Sequence, residues 1–267
     1  MKFTDIVNEI NALLELDRQV VGVQFHKTKE DYDKGQGRER ETKISYCTSV
    51  RDASRGKSLK LRLKNFACLA AAQACGLYPV TEDDRNGKNR VGFGAYKDLA
   101  VSKEVSEDMV YVEEENYGVS IMPLIEFETN PDVVIIVAKP FQMMRLAQGY
   151  AYNFGQLKDI KLAGMQAVCQ ELTSYPYVKD DVNMSMMCSG TRMLSQWKDD
   201  EMGMGIPFKY LEGIVEGLRK TVNPLERNKK KKIIEEKWTD MESDLDIVYN
   251  QNYDDGYYVG VQEESEL

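Results

Sequence analysis

The stretch Val133-Val134-Ile135-Ile136-Val137-Ala138 contains six consecutive apolar residues and is followed directly by Lys139 and Pro140. A strand that is apolar on both faces is typical of a central position in a sheet that is covered on both sides. Proline is common in the first turn of a helix, where its missing N–H would have no partner. The stretch therefore predicts a buried central strand, followed by a helix that carries Gln142–Tyr152.

The segments on either side alternate between strand and helix patterns. Apolar residues at helical spacing predict an amphipathic opening helix over Asp5–Leu16. Further expected elements are strands at Val20–Phe25 and Val119–Phe127, a buried alanine-rich helix at Phe66–Cys75 ended by Gly76, and an exposed loop at Thr28–Thr42. This order predicts an α/β or α+β fold with a mixed sheet and packed helices.

Charge and hydropathy narrow the class of protein. The 267 residues carry a net charge of −9, from 44 acidic and 35 basic residues. Nucleic-acid binding usually needs a basic surplus that neutralises phosphates, so nucleic acid is not expected as a partner. No apolar run approaches the roughly 20 residues of a membrane span, and the first residues lack the apolar core of a signal peptide. We therefore expect a cytoplasmic protein, with no membrane partner, that meets a small molecule or a redox partner protein.

The composition changes near the C-terminus. Residues 223–267 are charged and tyrosine-rich, with a basic run at Arg227–Lys232 and an acidic end. Such a segment is typical of a peripheral or partly disordered extension. The sequence thus predicts one globular domain over residues 1–222 and a C-terminal extension over 223–267.

An internal repeat is the most informative pattern inside the domain. Cys47 and Cys68 are separated by 20 residues, and Cys169 and Cys188 are separated by 18. An apolar strand precedes each pair. A Gly-x-Gly element follows each pair, at Gly92 and Gly94 and again at Gly203 and Gly205. The matching order predicts a duplication, over about 20–110 and 130–222, into two pseudo-symmetric halves with the cysteines facing each other.

Several segments together resemble a known family. They are Asn130–Ile136, Pro140–Gln148, the Tyr46-Cys47 step, Cys68–Gly76, Cys169, Asn183–Arg192 and Asp200–Pro207. Over residues 3–222 the chain is similar to domain-of-unknown-function family 169. Met187 stands where that family often has proline, and Cys75 and the tail lie outside its pattern. The resemblance implies a fold and candidate positions rather than a reaction.

The cysteines are the best candidates for chemistry. An odd count of five, in a chain without an export signal, argues against a disulfide framework. The thiolates of Cys47, Cys68, Cys169 and Cys188 suit an iron–sulfur cluster or a tetrahedral zinc ion. No Cys-x-x-Cys occurs, so these ligands must converge from separate elements, and inert core thiols are the competing interpretation. Cys75, in the alanine-rich helix, is expected only to pack.

Two further candidate sites have weaker support in the sequence. A metal-free protein could bind a small anion through Arg145, Arg192 and the Gly-x-Gly elements, interpreted as turns that open helices. Cys188 could be a nucleophile near Arg192, but His26, the only histidine, is expected to be exposed at the end of a strand. The sequence favours a redox-linked iron–sulfur protein, with a zinc-stabilised scaffold as another alternative. It leaves enzyme or electron carrier, substrate and oligomeric state open.

Overall fold

The computed structural model describes residues 2–113 and 115–221. Its strands are β1 (Val21–His26), β2 (Arg38–Glu39), β3 (Leu59–Arg62), β4 (Gly118–Pro123), β5 (Val133–Ala138), β6 (Asn183–Ser185) and β7 (Met202–Pro207). Its α-helices are α1 (Phe3–Leu14), α2 (Lys29–Lys34), α3 (Tyr46–Ala53), α4 (Leu69–Ala74), α5 (Glu82–Arg85), α6 (Lys88–Gly92), α7 (Leu99–Glu107), α8 (Pro140–Phe154), α9 (Tyr175–Lys179), α10 (Ser189–Ser195) and α11 (Leu211–Lys220). A π-helix spans Ala167–Ser174, and single 3-10 turns lie at Leu63–Asn65, Leu124–Glu126 and Phe208–Tyr210.

Within the described residues the strands form one mixed sheet. Their order is β2-β3-β4-β1-β5-β7-β6. The β2–β3 pair is parallel, and the other neighbouring strands pair antiparallel. The predicted α/β class with a mixed sheet and packed helices is confirmed.

Strand β5 divides the interior into two cores. Val133, Ile135 and Val137 point to one face of the sheet, where α3, α4 and the π-helix pack; we call this the thiol face. Val134, Ile136 and Ala138 point to the opposite face, where α1, α8 and α11 pack. All six side chains are buried, because both faces are covered, which explains the absence of a polar alternation along the strand.

The strand connections repeat on both sides of the β1–β5 pair. In the first part of the chain β1 pairs with β4, which pairs with β3. In the second part β5 pairs with β7, which pairs with β6. This is the connectivity that the predicted duplication would produce; the duplication itself, and the domain bounds drawn from it, stay predictions.

One part of the predicted repeat is wrong. Gly203 and Gly205 lie inside β7, whereas Gly92 ends α6 and Gly94 lies in the loop behind it. The strand in the position equivalent to β7 is β4, and both strands end in proline followed by a 3-10 turn. The paired Gly-x-Gly elements are therefore not equivalent structures, and neither one opens a helix as predicted.

Local signals explain where other elements differ from expectation. The predicted loop at Thr28–Thr42 contains α2 and the short strand β2, because Thr28 caps α2 through a reciprocal bond with Asp31. The predicted strand at Val119–Phe127 stops at Pro123, since proline has no N–H for the ladder. The opening helix, the alanine-rich helix and the helix that begins at Pro140 are confirmed, with shifted ends.

Across residues 2–113 and 115–221, no helix combines the length and the apolar character needed to cross a bilayer. The predicted C-terminal extension lies outside the described residues.

Candidate functional site

The four candidate cysteines all lie at the beginnings of helices. Cys47 is in the first turn of α3, Cys68 is the residue before α4, and Cys188 is the residue before α10. Cys169 is the third residue of the π-helix. None of them forms a disulfide, and we refer to these four residues as the thiol site.

Thr191 connects two of these cysteines. Its hydroxyl donates to Cys47 Sγ at 3.6 Å and lies 3.0 Å from Cys188 Sγ, while its backbone N–H donates to the same Cys188 sulfur at 3.4 Å. Thr191 is fully buried. Two cysteines that are 141 positions apart in the numbering (188 minus 47) therefore contact one side chain, because α3 and α10 pack together.

Burial and mutual repulsion govern the protonation of the buried thiols. Burial raises the pKa of Cys47 to about 12; the Thr191 hydrogen bond opposes the rise, and Cys188 and Cys68 add to it. Burial also raises the pKa of Cys169 well above its ordinary value, with further contributions from Cys47, Cys75, Cys68 and Cys188.

The four cysteines of the thiol site differ in their exposure to solvent. They are not arranged as a metal-ion site. Cys169 is buried, Cys47 and Cys188 are partly buried, and Cys68 is exposed. Within the part of the chain that the structure describes, no group of three or more His, Cys, Asp or Glu side chains is arranged to hold a metal ion. Cys75 is completely buried in the core at the end of α4, as its predicted packing role requires.

The backbone around Cys169 and Cys188 is unusual. Gln166, directly before the π-helix, and Met187, directly before Cys188, both have positive φ values, of 53° and 68°. π-helical turns and left-handed non-glycine residues are rare, and they are found disproportionately at functional sites. These conformations place the two cysteines on turns that a regular helix would not provide.

The buried carboxyl group of Glu171 accepts hydrogen bonds from the chain segments that precede the π-helix and Cys188. Glu171, on the π-helix, accepts the N–H of Ala163 at 2.9 Å and the hydroxyl of Ser185 at 2.5 Å. Burial raises the pKa of Glu171, against the hydrogen bonds that it accepts. Ser185 in turn accepts the N–H of Met187 at 3.0 Å, so Glu171 supports the segment that leads into Cys188.

The two arginines proposed for an anion do not share a site. Arg145 lies on α8, across the sheet from the thiol face, and is 1% exposed. Its guanidinium donates to the Leu218 carbonyl and the Thr221 hydroxyl, at 2.8 and 2.9 Å, at the end of α11. Arg192, on α10, donates to the carbonyls of Met186 and Glu201 at 3.0 and 2.8 Å. Both guanidinium groups support backbone carbonyls, which is a structural role.

The glycines predicted to line a ligand have different surroundings. A Cβ on Gly205 would lie 2.3 Å from the Leu172 carbonyl oxygen, and one on Gly203 would lie 2.3 Å from the Leu172 side chain. These two glycines therefore let β7 approach the π-helix closely. Gly92 and Gly94 have open space where a Cβ would be, and Gly94 has a φ of 69°.

The expectation for His26 is wrong. His26 is 4% exposed, and its Nε2 lies 2.8 Å from the Ser120 hydroxyl. The ring packs edge-on against Tyr32. Its burial follows from the segment that contains α2, because Tyr32 packs on the ring and a Cβ on Gly35 would lie 2.4 Å from it. His26 is thus engaged with a serine rather than with a thiol.

Sequence reasoning missed Thr191 and Glu171. A threonine three residues after a helix-capping position is a local signal, since the N–H at that position commonly donates to the cap side chain. That signal could have paired Thr191 with Cys188. No local signal connects Thr191 with Cys47, which lies on a distant helix.

The fold is that of a mixed-sheet α/β protein, with four cysteines at helix starts on one face of the sheet. The chain belongs to the family described as uncharacterised ArCR, domain-of-unknown-function family 169, whose model matches residues 9–217. It is 29% identical to an uncharacterised protein of Methanocaldococcus jannaschii over 221 residues, which cover 79% of this chain and 94% of the relative. No solved structure matches this chain.

Proposed function

We propose that this protein is a redox-linked protein in which Cys47, Cys68, Cys169 and Cys188 hold an iron–sulfur cluster. The observation that carries the proposal is that the Thr191 hydroxyl contacts both Cys47 and Cys188, while Cys68 and Cys169 lie at two further helix starts. Buried thiols that repel one another as thiolates are stabilised when a cation or a cluster neutralises them.

Four cysteine thiolates are a donor set that both an iron–sulfur cluster and a tetrahedral zinc ion take. Four thiolates around tetrahedral zinc would have sulfur atoms about 3.8 Å apart, given Zn–S bonds of about 2.3 Å. The described residues hold no group with metal-ion spacing. An iron–sulfur cluster also takes four cysteine thiolates, with its iron atoms between them.

When bound, such a cluster supplies one-electron transfer. The chain's own residues determine its surroundings. Cys169 is buried and Cys47 and Cys188 are partly buried, while Cys68 is exposed and would give a partner one accessible edge. Because burial holds the Cys47 thiol protonated at neutral pH, loading the site should release protons.

The test begins with anaerobic purification, followed by a visible spectrum and measurement of iron, sulfide and zinc per chain. Broad visible absorption with matched iron and sulfide is the expected result. Each of the four cysteines is then replaced by serine, and each replacement should lower the iron content and bleach the absorption.

Cys75→Ala is the matched control, because Cys75 is a cysteine of the same core without a place in the proposed site. It should keep the absorption of the parent protein. A colourless protein with stoichiometric zinc would replace the redox proposal by a zinc-stabilised scaffold. A colourless, metal-free protein with unchanged stability would overturn metal binding altogether.

A further inference from the structure

A cleft lies at the β2 edge of the sheet, beside the start of β3. Its volume is about 510 Å³, which is within the usual range of small-molecule sites. Strand β2 is the outermost strand on this side of the sheet. The lining combines three cationic side chains with two hydroxyl groups and one apolar residue, and it includes Arg38, Arg40, Thr42, Lys57, Ser58 and Leu59.

Arg40 is the cation of this cleft that has no ionic partner. Within residues 2–113 and 115–221, no carboxylate lies within ion-pair distance of its guanidinium, and its Nε is buried without a hydrogen-bond partner. The backbone of Arg40 is fixed, because its N–H donates to the Lys60 carbonyl at 3.2 Å and its carbonyl accepts from Asn65 Nδ2 at 2.6 Å. A desolvated donor without an acceptor costs free energy, which an anionic ligand would recover.

The carboxylate nearest in sequence is already neutralised by other cations. Glu39 accepts Arg62 Nε at 2.9 Å and lies 2.7 Å from Lys64 Nζ. Two positive charges on one carboxylate leave it no unmatched negative charge for Arg40. The cleft therefore keeps an excess of positive charge although the whole chain is acidic.

Arg38 and Arg40 project from the same side of the sheet. Their backbone N–H groups both donate to β3, at 3.0 and 3.2 Å, and side chains alternate along an extended segment, so Glu39 between them projects to the other side. Arg38 lies 4.0 Å from Glu41, and both of these side chains are almost fully exposed, so water weakens that ion pair. Two guanidinium groups are thus available to one ligand.

A guanidinium group is planar and forms paired hydrogen bonds with phosphate and carboxylate groups. From this arrangement we propose that the cleft at the β2 edge binds a small molecule that carries a phosphate or carboxylate group. Arg40 is its main anchor, and Arg38 and Lys57 supply further positive charge. The inference is independent of the proposed function, because none of the four cysteines lines this cleft.

The experiment is isothermal titration of the full chain with inorganic pyrophosphate and, separately, with citrate. Constant ionic strength keeps the screening of surface charges equal in every titration. We expect saturable binding of at least one probe, and Arg40→Gln should weaken that binding at least about tenfold, because charge-assisted hydrogen bonds are lost. Lys97→Gln is the charge-matched control, since Lys97 is exposed in the loop between α6 and α7 and should leave the affinity unchanged.

The choice of probe separates the two ligand chemistries. Binding of pyrophosphate alone assigns a phosphate group to the ligand, and binding of citrate alone assigns a carboxylate. Thermal unfolding without a probe checks that each variant folds, and Arg40→Lys, which keeps the charge but loses the planar fork, replaces Arg40→Gln if that variant does not fold. The inference is overturned if neither probe binds saturably, or if the loss of affinity in the Arg40 variant equals that in Lys97→Gln.

Discussion

The pKa of His26 depends on the groups that surround its imidazole ring. The ring is buried against Tyr32, and its Nε2 lies 2.8 Å from the Ser120 hydroxyl. Burial lowers the pKa of His26 below its ordinary 6.5, Lys60 lowers it further, and Asp31 opposes the change. A depressed pKa in the folded state means that the neutral form is favoured by folding.

This depression makes stability depend on pH in a known direction. The unfolded chain binds a proton on His26 more readily than the folded chain, so the contribution to stability is complete above about pH 6.5 and is lost as pH falls below that value. His26→Gln should flatten the pH dependence of the unfolding free energy between pH 5.5 and 8, at the cost of about 1 kcal/mol at pH 8 for an altered hydrogen bond. Urea denaturation across this range measures both effects.

His26 is the only histidine, so no other imidazole shares its titration range. An unfolding free energy whose pH profile is the same in the parent and the variant would contradict the burial of His26.

At the scale of elements, close packing of β7 on the π-helix holds the segment with Cys169 against the sheet. Gly205 faces the Leu172 carbonyl, with room for a hydrogen atom but not for a methyl group. The same approach is absent at Gly92, at the end of α6, where an added Cβ would meet nothing within 4 Å. Two glycines in similar Gly-x-Gly contexts therefore have different energetic roles.

Gly205→Ala should reduce the free energy of unfolding by about 1–3 kcal/mol, because a backbone atom rather than a flexible side chain blocks the new methyl group. Gly92→Ala is the matched control and should be neutral or stabilising by up to about 1 kcal/mol, since alanine restricts the unfolded chain. Chemical denaturation of the two variants measures the difference. Equal stabilities would show that β7 and the π-helix can separate without cost.

At the scale of the whole molecule, a buried ion pair joins Arg18, before β1, to Glu201, before β7. Arg18 Nε and one Glu201 oxygen are 2.6 Å apart, and a second bond of 3.1 Å joins Arg18 to the other oxygen. The two side chains are 7% and 5% exposed. The Arg18 guanidinium also stacks over Trp197, which donates its indole N–H to the Cys47 carbonyl. The pair therefore ties the segment before β1 to the region of the thiol site.

Removing one partner of this pair should cost more than replacing both. Glu201→Leu leaves a buried guanidinium without its carboxylate, and we expect a loss of about 3–5 kcal/mol in unfolding free energy. The double replacement Arg18→Met with Glu201→Leu should lose less than the two single changes together, because it leaves no unpaired charge. A double-mutant cycle from denaturation curves measures the coupling, and additive losses would contradict a direct interaction.

The amino-acid sequence by itself determined the elements whose signals lie within a few residues. The apolar run Val133–Ala138 specified a strand buried on both faces, and Pro140 specified the helix behind it. The family segments were also readable without a structure, and the family that they indicated is confirmed. Local periodicity and capping depend on neighbours in the chain, so the chain order contains them.

Only the tertiary structure decided which distant groups meet. It placed Thr191 between Cys188 and Cys47, packed Tyr32 of α2 against His26, and put Arg145 on the opposite face from Arg192. It also placed Gly203 and Gly205 inside a strand rather than in turns. The physical reason is that these contacts depend on the order of strands in the sheet and on the side of the sheet that each helix covers. Residue spacing along the chain does not contain either property.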